Sequence, residues 1–302
     1  MQYEELSTIP DLMAEYRAVM RGKVPVVGTQ HRALGVPSSG YRVRDVQVPA
    51  TQLATYTRAT NLRLGSELPI TYPFVLSFPL VMKLMSREDF PFSAVGAVHI
   101  SNVVEQTRPL TVEDSMELAV HAENLRPHRK GLLIDFVTAV TVEGAEVCKQ
   151  TSTFLSIGAK FDREAEVSVR SRGEETGTVL EKRDVTHRAP NATVKVSPDQ
   201  ILEYADASGD RNPLHVSKLG AKAFGFPSVI AHGMWTAAAM LGTLEGRIPG
   251  AAKYTVEFRK PVVLAATVGI WADELEPNRW SLQAGKASAP EKVHAVGEIE
   301  AL

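Results

Sequence analysis

The chain repeats itself, and the repeat limits what it can fold into. Asp45–Tyr56 lies over Thr193–Tyr204 at an offset of 148, so that Val46, Val48, Gln52 and Tyr56 meet Val194, Val196, Gln200 and Tyr204. Pro73-Phe74-Val75-Leu76 matches Pro227-Ser228-Val229-Ile230 at 154. Val104-Glu105-Gln106-Thr107-Arg108-Pro109 matches Val256-Glu257-Phe258-Arg259-Lys260-Pro261 at 152. Three matches in one order, at nearly one offset, indicate one unit made twice. The drift in offset places about six extra residues of the second copy between Tyr204 and Pro227.

Each copy reads as strand, helix, loop, more buried helix, then several strands. In the second, Ser197-Pro198-Asp199-Gln200 is a capping box with proline at the first helical position, and Gly209 and Pro213 end the helix near Ala207. The stretch from Ile230 to Glu245 is apolar nearly all round, which marks a buried helix. Alternation then predicts strands at 253–259, 262–272, 279–287 and 293–301, with a turn at Pro277-Asn278. The first copy predicts strands at 95–108, 115–126, 131–142 and 146–156. The fold class is therefore α+β. Residues 1–157 form the first domain and 192–302 the second. Residues 158–191, rich in mixed charge and glycine, read as a solvated linker whose arginines form no binding site. An amphipathic helix over Pro10–Met20 carries Leu12, Met13, Tyr16 and Met20 on one side.

Bulk properties exclude several classes. A net charge of -2 provides no global basic field for nucleic acid or an anionic membrane. No apolar run approaches a bilayer span, and the acidic start Met1-Gln2-Tyr3-Glu4-Glu5 has no apolar signal region, so a cytoplasmic protein is expected. The lone Cys148 cannot make an intramolecular disulfide; in its apolar strand it reads as a core residue, with a nucleophile as the rival reading.

Polar residues crowd the extra loop of the second copy: Asp206, Ser208, Asp210, Arg211, Asn212 and His215. Asp210 and His215 are five apart, off one helix face, but Gly209 and Pro213 allow a loop that turns both inward. A carboxylate, an imidazole and an amide around one spot suit acid–base work on a water added to a polarised double bond. The neighbouring carbonyl would then gain negative charge. Backbone N–H groups at a helix start, here His232-Gly233-Met234, suit that oxygen, and Gly233 has no side chain to block approach. Bland readings stand beside these. An Asp–His loop pair is often a surface ion pair, a glycine at a helix start often a tight turn, and His232 a hydrogen-bonded core residue. Against the bland readings, the first copy has neither feature: Tyr56-Thr57-Arg58-Ala59-Thr60-Asn61-Leu62 carries no Asp–His pair, and Phe78-Pro79 stands opposite His232-Gly233.

Tyr204-Ala205-Asp206-Ala207-Ser208-Gly209-Asp210-Arg211-Asn212-Pro213-Leu214-His215, with Phe226-Pro227-Ser228-Val229-Ile230-Ala231-His232-Gly233-Met234 downstream, resembles the hydratase-2 motif of MaoC-like dehydratases, the R-specific enoyl-CoA hydratases. The resemblance implies a double hot-dog: two curved antiparallel sheets, each wrapped around a central helix. The first half would be non-catalytic and make room for the acyl chain. It implies reversible hydration of a trans-2-enoyl thioester to a (3R)-3-hydroxyacyl thioester in fatty-acid metabolism, with no metal or redox cofactor. Asp210, His215, Asn212 and Gly233 fall on the family's catalytic positions. His232, Met234, Arg259 and Lys260 are expected at the substrate. The helix after Gly233 has no serine, unlike some bacterial members, which leaves the fine polar contacts open.

Two other readings remain: a hot-dog acyl thioesterase, whose water would attack the carbonyl, and a non-catalytic acyl-carrier-binding subunit. The substrate carrier is acyl-CoA or acyl carrier protein, with Arg126-Pro127-His128-Arg129-Lys130 and Arg259-Lys260 as candidate basic groups for either, the first reading more readily as a charged solvated turn. Two hot-dogs in one chain suit a monomer, or a unit that pairs again as a homodimer.

Overall fold

The computed structural model describes residues 1–22 and 32–302. It divides into two compact units: Met1–Val46, Leu76–Asn102 and Ser115–Val179, and then Gln47–Val75, Val103–Asp114 and Leu180–Leu302. Each is a mainly antiparallel sheet with a helix buried in its core, and the α+β class holds.

In the first unit the strands run in space as Gln2–Leu6, Ser39–Val46, Met116–His128, Gly131–Val142, Ala145–Ile157 and the strand that begins at Ala97. The first pair is parallel and the hairpins after it are antiparallel. The helix Tyr72–Met85 contributes Leu80, Val81 and Leu84 to the core, and Pro79 lies inside it. Cys148 is buried, and burial pushes its thiol up to about 12, so it is an inert core group. The N-terminal helix is Leu12–Gly22, with Leu12 buried and Met13 and Tyr16 half-buried; the Met20 side chain lies outside the described residues. The stretch after the last strand holds only a two-residue strand, Lys160–Phe161, and a single turn of helix, Val167–Arg170.

In the second unit Ser197 accepts from the Gln200 N–H at 3.2 Å and Pro198 opens the helix Pro198–Ser208. Gly209, at φ 72°, closes it in the left-handed conformation glycine allows. The sheet order is Ala252–Phe258, Ala289–Ala301, Arg279–Lys286, Ala266–Glu276, Ala192–Val196, antiparallel throughout. Asn278, at φ 63°, makes the expected turn. The buried helix is Gly233–Leu241, shorter than the apolar stretch that suggests it. Residues 229–231 are extended instead: Ala231 N–H donates to Val262 O and Leu264 N–H to Val229 O, both at 2.9 Å. For the same reason the strand expected from residue 262 starts at Ala266. The helix packs on the sheet, with Tyr254 Oη donating to Ala237 O at 2.9 Å.

The helix Ala50–Thr60, from the first copy of the repeat, belongs to this second unit and pairs with Pro198–Ser208. Gln52 Nε2 donates to Ala207 O at 2.8 Å, and Gln200 Nε2 donates to Ala59 O at 2.9 Å. Each partner stands at the same repeat position in the other copy. Tyr56 and Tyr204, also equivalent, bring their rings to 5.7 Å. The two helices end alike, on Asn61 and Gly209, both left-handed. Among the described residues no helix is long and apolar enough to cross a membrane.

Candidate active site

The polar loop follows Gly209 and is held by its own short side chains. Ser208 Oγ accepts from Asp210 N–H at 3.2 Å, and Asp210 Oδ1 accepts from Asn212 N–H at 3.2 Å. Asn212 Oδ1 accepts from Leu214 N–H at 3.1 Å and caps the turn Pro213–Val216. That turn carries His215. Ile230 N–H donates to Leu214 O at 3.1 Å, which ties the loop to the extended stretch before the buried helix. Arg211 is turned outward to Asp206.

His215 Nδ1 lies 2.8 Å from Ile230 O. A carbonyl only accepts, so Nδ1 carries the proton, and in the neutral ring Nε2 keeps a free lone pair. Burial lowers the pKa of His215, while the Asp210 carboxylate and the Ile230 carbonyl pull it back up. The ring is therefore neutral at neutral pH, beside a group that steadies its charged form. His232, 3 % exposed, caps the buried helix; its Nε2–H donates to Asp210 O at 2.9 Å. Its ring stacks on His215 with centroids 3.7 Å apart and lies 4.9 Å from Tyr204. Burial, then the His215 ring, pulls its pKa down to about 3. One side-chain nitrogen or oxygen from each of Asp210, His215 and His232 comes within 4.8 Å of the other two. Such spacing suits a shared water, and by distance alone a cation. The ring nitrogens bonded to carbonyls are not open to a metal, which leaves His215 Nε2, the carboxylate and the buried His232 Nδ1.

Gly233 is the first residue of the buried helix, and His232 offers no side-chain hydrogen bond to its first turn. N–H groups there have no intrahelical acceptor and point out of the helix end. A Cβ at Gly233 would lie 3.2 Å from three carbons of the Phe258 ring, so the glycine also lets that strand approach.

One relative decides the family. Over 253 residues the chain is 42% identical to the 3-hydroxyacyl-thioester dehydratase X of Mycobacterium tuberculosis, covering 84% of this chain and 85% of that protein. The chain belongs to the MaoC-like dehydratases. The MaoC like domain itself matches residues 181–293, which include the polar loop and the buried helix. The crystal structure of HtdX from M. tuberculosis superposes with a TM-score of 0.73 at 38% identity, covering 86% of this chain and 99% of that one. A MaoC-like dehydratase from Phytophthora capsici shares the fold at TM-score 0.67 and 20% identity, over 90% and 98% of the two chains.

The remaining site residues of this MaoC-like chain fall in different places. Asp210, Asn212, His215, His232 and Gly233 come together. Met234, 2 % exposed, points into the core. Arg259 is engaged, donating to Glu257 Oε2 at 2.6 Å and to Leu180 O at 2.5 Å. Lys260 beside it is exposed and lines an open cleft. Arg126, a candidate carrier contact in a stretch that reads more readily as a solvated turn, is neither: it is buried between Asp135 and Glu175 at 2.9 and 2.7 Å. The residue whose importance the spacing does not reveal is Tyr204, on the helix that leads into the loop: it is buried against His232, and burial, then Tyr56 and Asp210, raise its pKa.

Proposed function

We propose that the chain catalyses reversible addition of water to a trans-2-enoyl thioester, giving a (3R)-3-hydroxyacyl thioester. The observation that carries this is the neutral, half-buried His215, with a free Nε2 beside the Asp210 carboxylate and next to an uncapped helix start. In hydration, His215 Nε2 takes a proton from water as the oxygen bonds to the β-carbon. The π electrons move towards the thioester carbonyl, and the Gly233 N–H stabilises that oxygen. The imidazolium, steadied by Asp210, returns a proton to the α-carbon. One water is consumed, and dehydration is the reverse. Asn212 keeps the loop in shape, and His232 holds the Asp210 backbone.

This chemistry calls on no metal or redox cofactor. Acyl-CoA and acyl carrier protein both fit as carriers, and a cytoplasmic setting goes with either. The first half of the chain, which lacks the Asp–His pair, serves in this reading to accommodate medium or long acyl chains.

The test follows the ultraviolet absorbance of crotonyl-CoA and of a longer trans-2-enoyl-CoA, with a thiol reagent present. Conjugation should disappear without thiol release, faster for the longer substrate. Asp210→Asn and His215→Ala should each lower kcat at least about 10²-fold. Thiol release would make the protein a thioesterase, and silence with both CoA and acyl-carrier substrates would leave only a binding role.

A further inference from the structure

The reaction above leaves one buried polar group of the site unused, the hydroxyl of Tyr204. Tyr204 lies on the helix that leads into the polar loop and is 1 % exposed. Among the described residues its Oη has no hydrogen-bond partner. Tyr56, at the same repeat position in the other copy, differs: its Oη meets Thr71 Oγ1 at 2.8 Å. Packing alone does not ask for the Tyr204 hydroxyl, because a phenylalanine would fill the space with no polar atom to desolvate. Burial, then Tyr56 and Asp210, hold its pKa above the usual value, so it stays a protonated donor.

A complementary group stands beside it. His232 Nε2 faces the Asp210 carbonyl at 2.9 Å and so carries the proton. The ring is neutral, which leaves Nδ1 a bare acceptor, and among the described residues Nδ1 has no partner either. Tyr204 brings an O–H in need of an acceptor, and His232 a nitrogen in need of a donor. Their rings are 4.9 Å apart and tilted by 46°, and the two polar atoms make no direct bond. One interior water joins such a pair, accepting from the phenol and donating to the imidazole.

The consequence reaches the reacting groups. Which nitrogen of a histidine carries the proton is set by the bond that the other makes. A donor at Nδ1 keeps the proton on Nε2, where it holds the Asp210 backbone. In the other tautomer the Nε2 lone pair would face the carbonyl oxygen and push the loop away. The same ring is stacked on His215, with centroids 3.7 Å apart.

We propose that Tyr204 is a positioning residue, whose hydroxyl fixes the His232 tautomer through one interior water and thereby the Asp210–His215 pair, an inference that rests on the hydratase reading for its effect on rate. The hydrogen bond itself rests on the geometry alone.

The experiment uses Tyr204→Phe, which keeps the ring and removes the hydroxyl. With crotonyl-CoA, kcat should fall about threefold to tenfold while KM stays unchanged. A double-mutant cycle with His232→Gln separates this from packing. Glutamine has a donor for Asp210 but no tautomer to set, so the loss at Tyr204 should largely vanish in that background. Nitrogen-15 NMR of the imidazoles at neutral pH needs no turnover. In the wild type the His232 Nδ1 should resonate upfield of an unbonded imine nitrogen, and in Tyr204→Phe it should move downfield. Equal losses in both backgrounds overturn the proposal, as does an unchanged kcat. So does a wild-type Nδ1 already at the unbonded position, or one that Tyr204→Phe leaves unmoved. If no enoyl thioester is turned over, the hydratase reading fails, and the NMR still decides whether Tyr204 reaches His232.

Discussion

His232 shows how far one residue's role depends on its surroundings. Burial and the His215 ring keep it neutral, with a pKa pulled down to about 3, and His215 is lowered too. In the unfolded chain both titrate near ~6.5. Below that value the unfolded chain takes up protons that the folded one refuses, His232 until the pH nears about 3. Their contribution to stability is therefore complete above about pH 6.5 and is lost as the pH falls. His128 and His294 shift in the same direction. Scanning calorimetry should find Tm lower by roughly 3–6 °C at pH 5 than at pH 7.5. His232→Gln should flatten part of that slope; an identical slope would place the acid sensitivity elsewhere. At this scale the sequence is partly legible. Asp210 and His215 stand out because a loop with Gly209 and Pro213 can turn both inward. His232 reads more readily as a hydrogen-bonded core residue than as a group at the substrate, because its place depends on the stack with Tyr204 and His215.

Among the elements, the start of the buried helix matters most. In the second copy the helix begins at Gly233, directly after His232. In the first copy it begins at Tyr72 and runs through Pro79, the position opposite Gly233, so the matching spot is mid-helix and offers no open N–H groups. Gly233→Ala would press a methyl against the Phe258 ring. It should lower kcat about 10- to 100-fold with little change in KM, by displacing the oxyanion donor. Phe258→Leu added to it should recover part of the loss; no recovery would show that the glycine serves something other than this close approach. The helix start is also where the sequence is least readable. Hydrophobicity predicts a helix from Ile230, but Val229–Ala231 are claimed by residues 262–264, some thirty positions on. Long-range pairing of that kind leaves no local signature. By contrast, Ser197, Pro198 and Gly209 act within one turn, and that helix is legible to within a residue.

For the molecule as a whole, the repeat is a physical contact as well as a pattern. Gln52 and Gln200 reach across to Ala207 and Ala59, each completing the other copy's helix. The exchange is not quite even. Ala59 O also accepts from Trp235 Nε1 at 2.8 Å, so losing Gln200 leaves that carbonyl satisfied. Gln52→Ala should therefore cost more than Gln200→Ala, about 1–2 against under 1 kcal/mol, read from urea unfolding midpoints. The reverse order would mean the pair does not act through these carbonyls. The repeat itself was visible because Val, Gln and Tyr recur in register. That the first copy's helix joins the second unit was not, since nothing in a linear pattern says which neighbour a helix will choose.

That shared helix pair bears on the history such a chain can have. After a gene doubles, one copy is ordinarily free to decay or be deleted. Here the half without the Asp–His pair still supplies a wall to the half that has it, so deletion would strip the loop's own helix of its partner and leave Trp235 without an acceptor. Drift can erase reactive side chains from the first half, but Gln52, Tyr56 and Ala59 remain under the constraint of their neighbours. The duplication is in that sense irreversible: an idle half has become indispensable architecture.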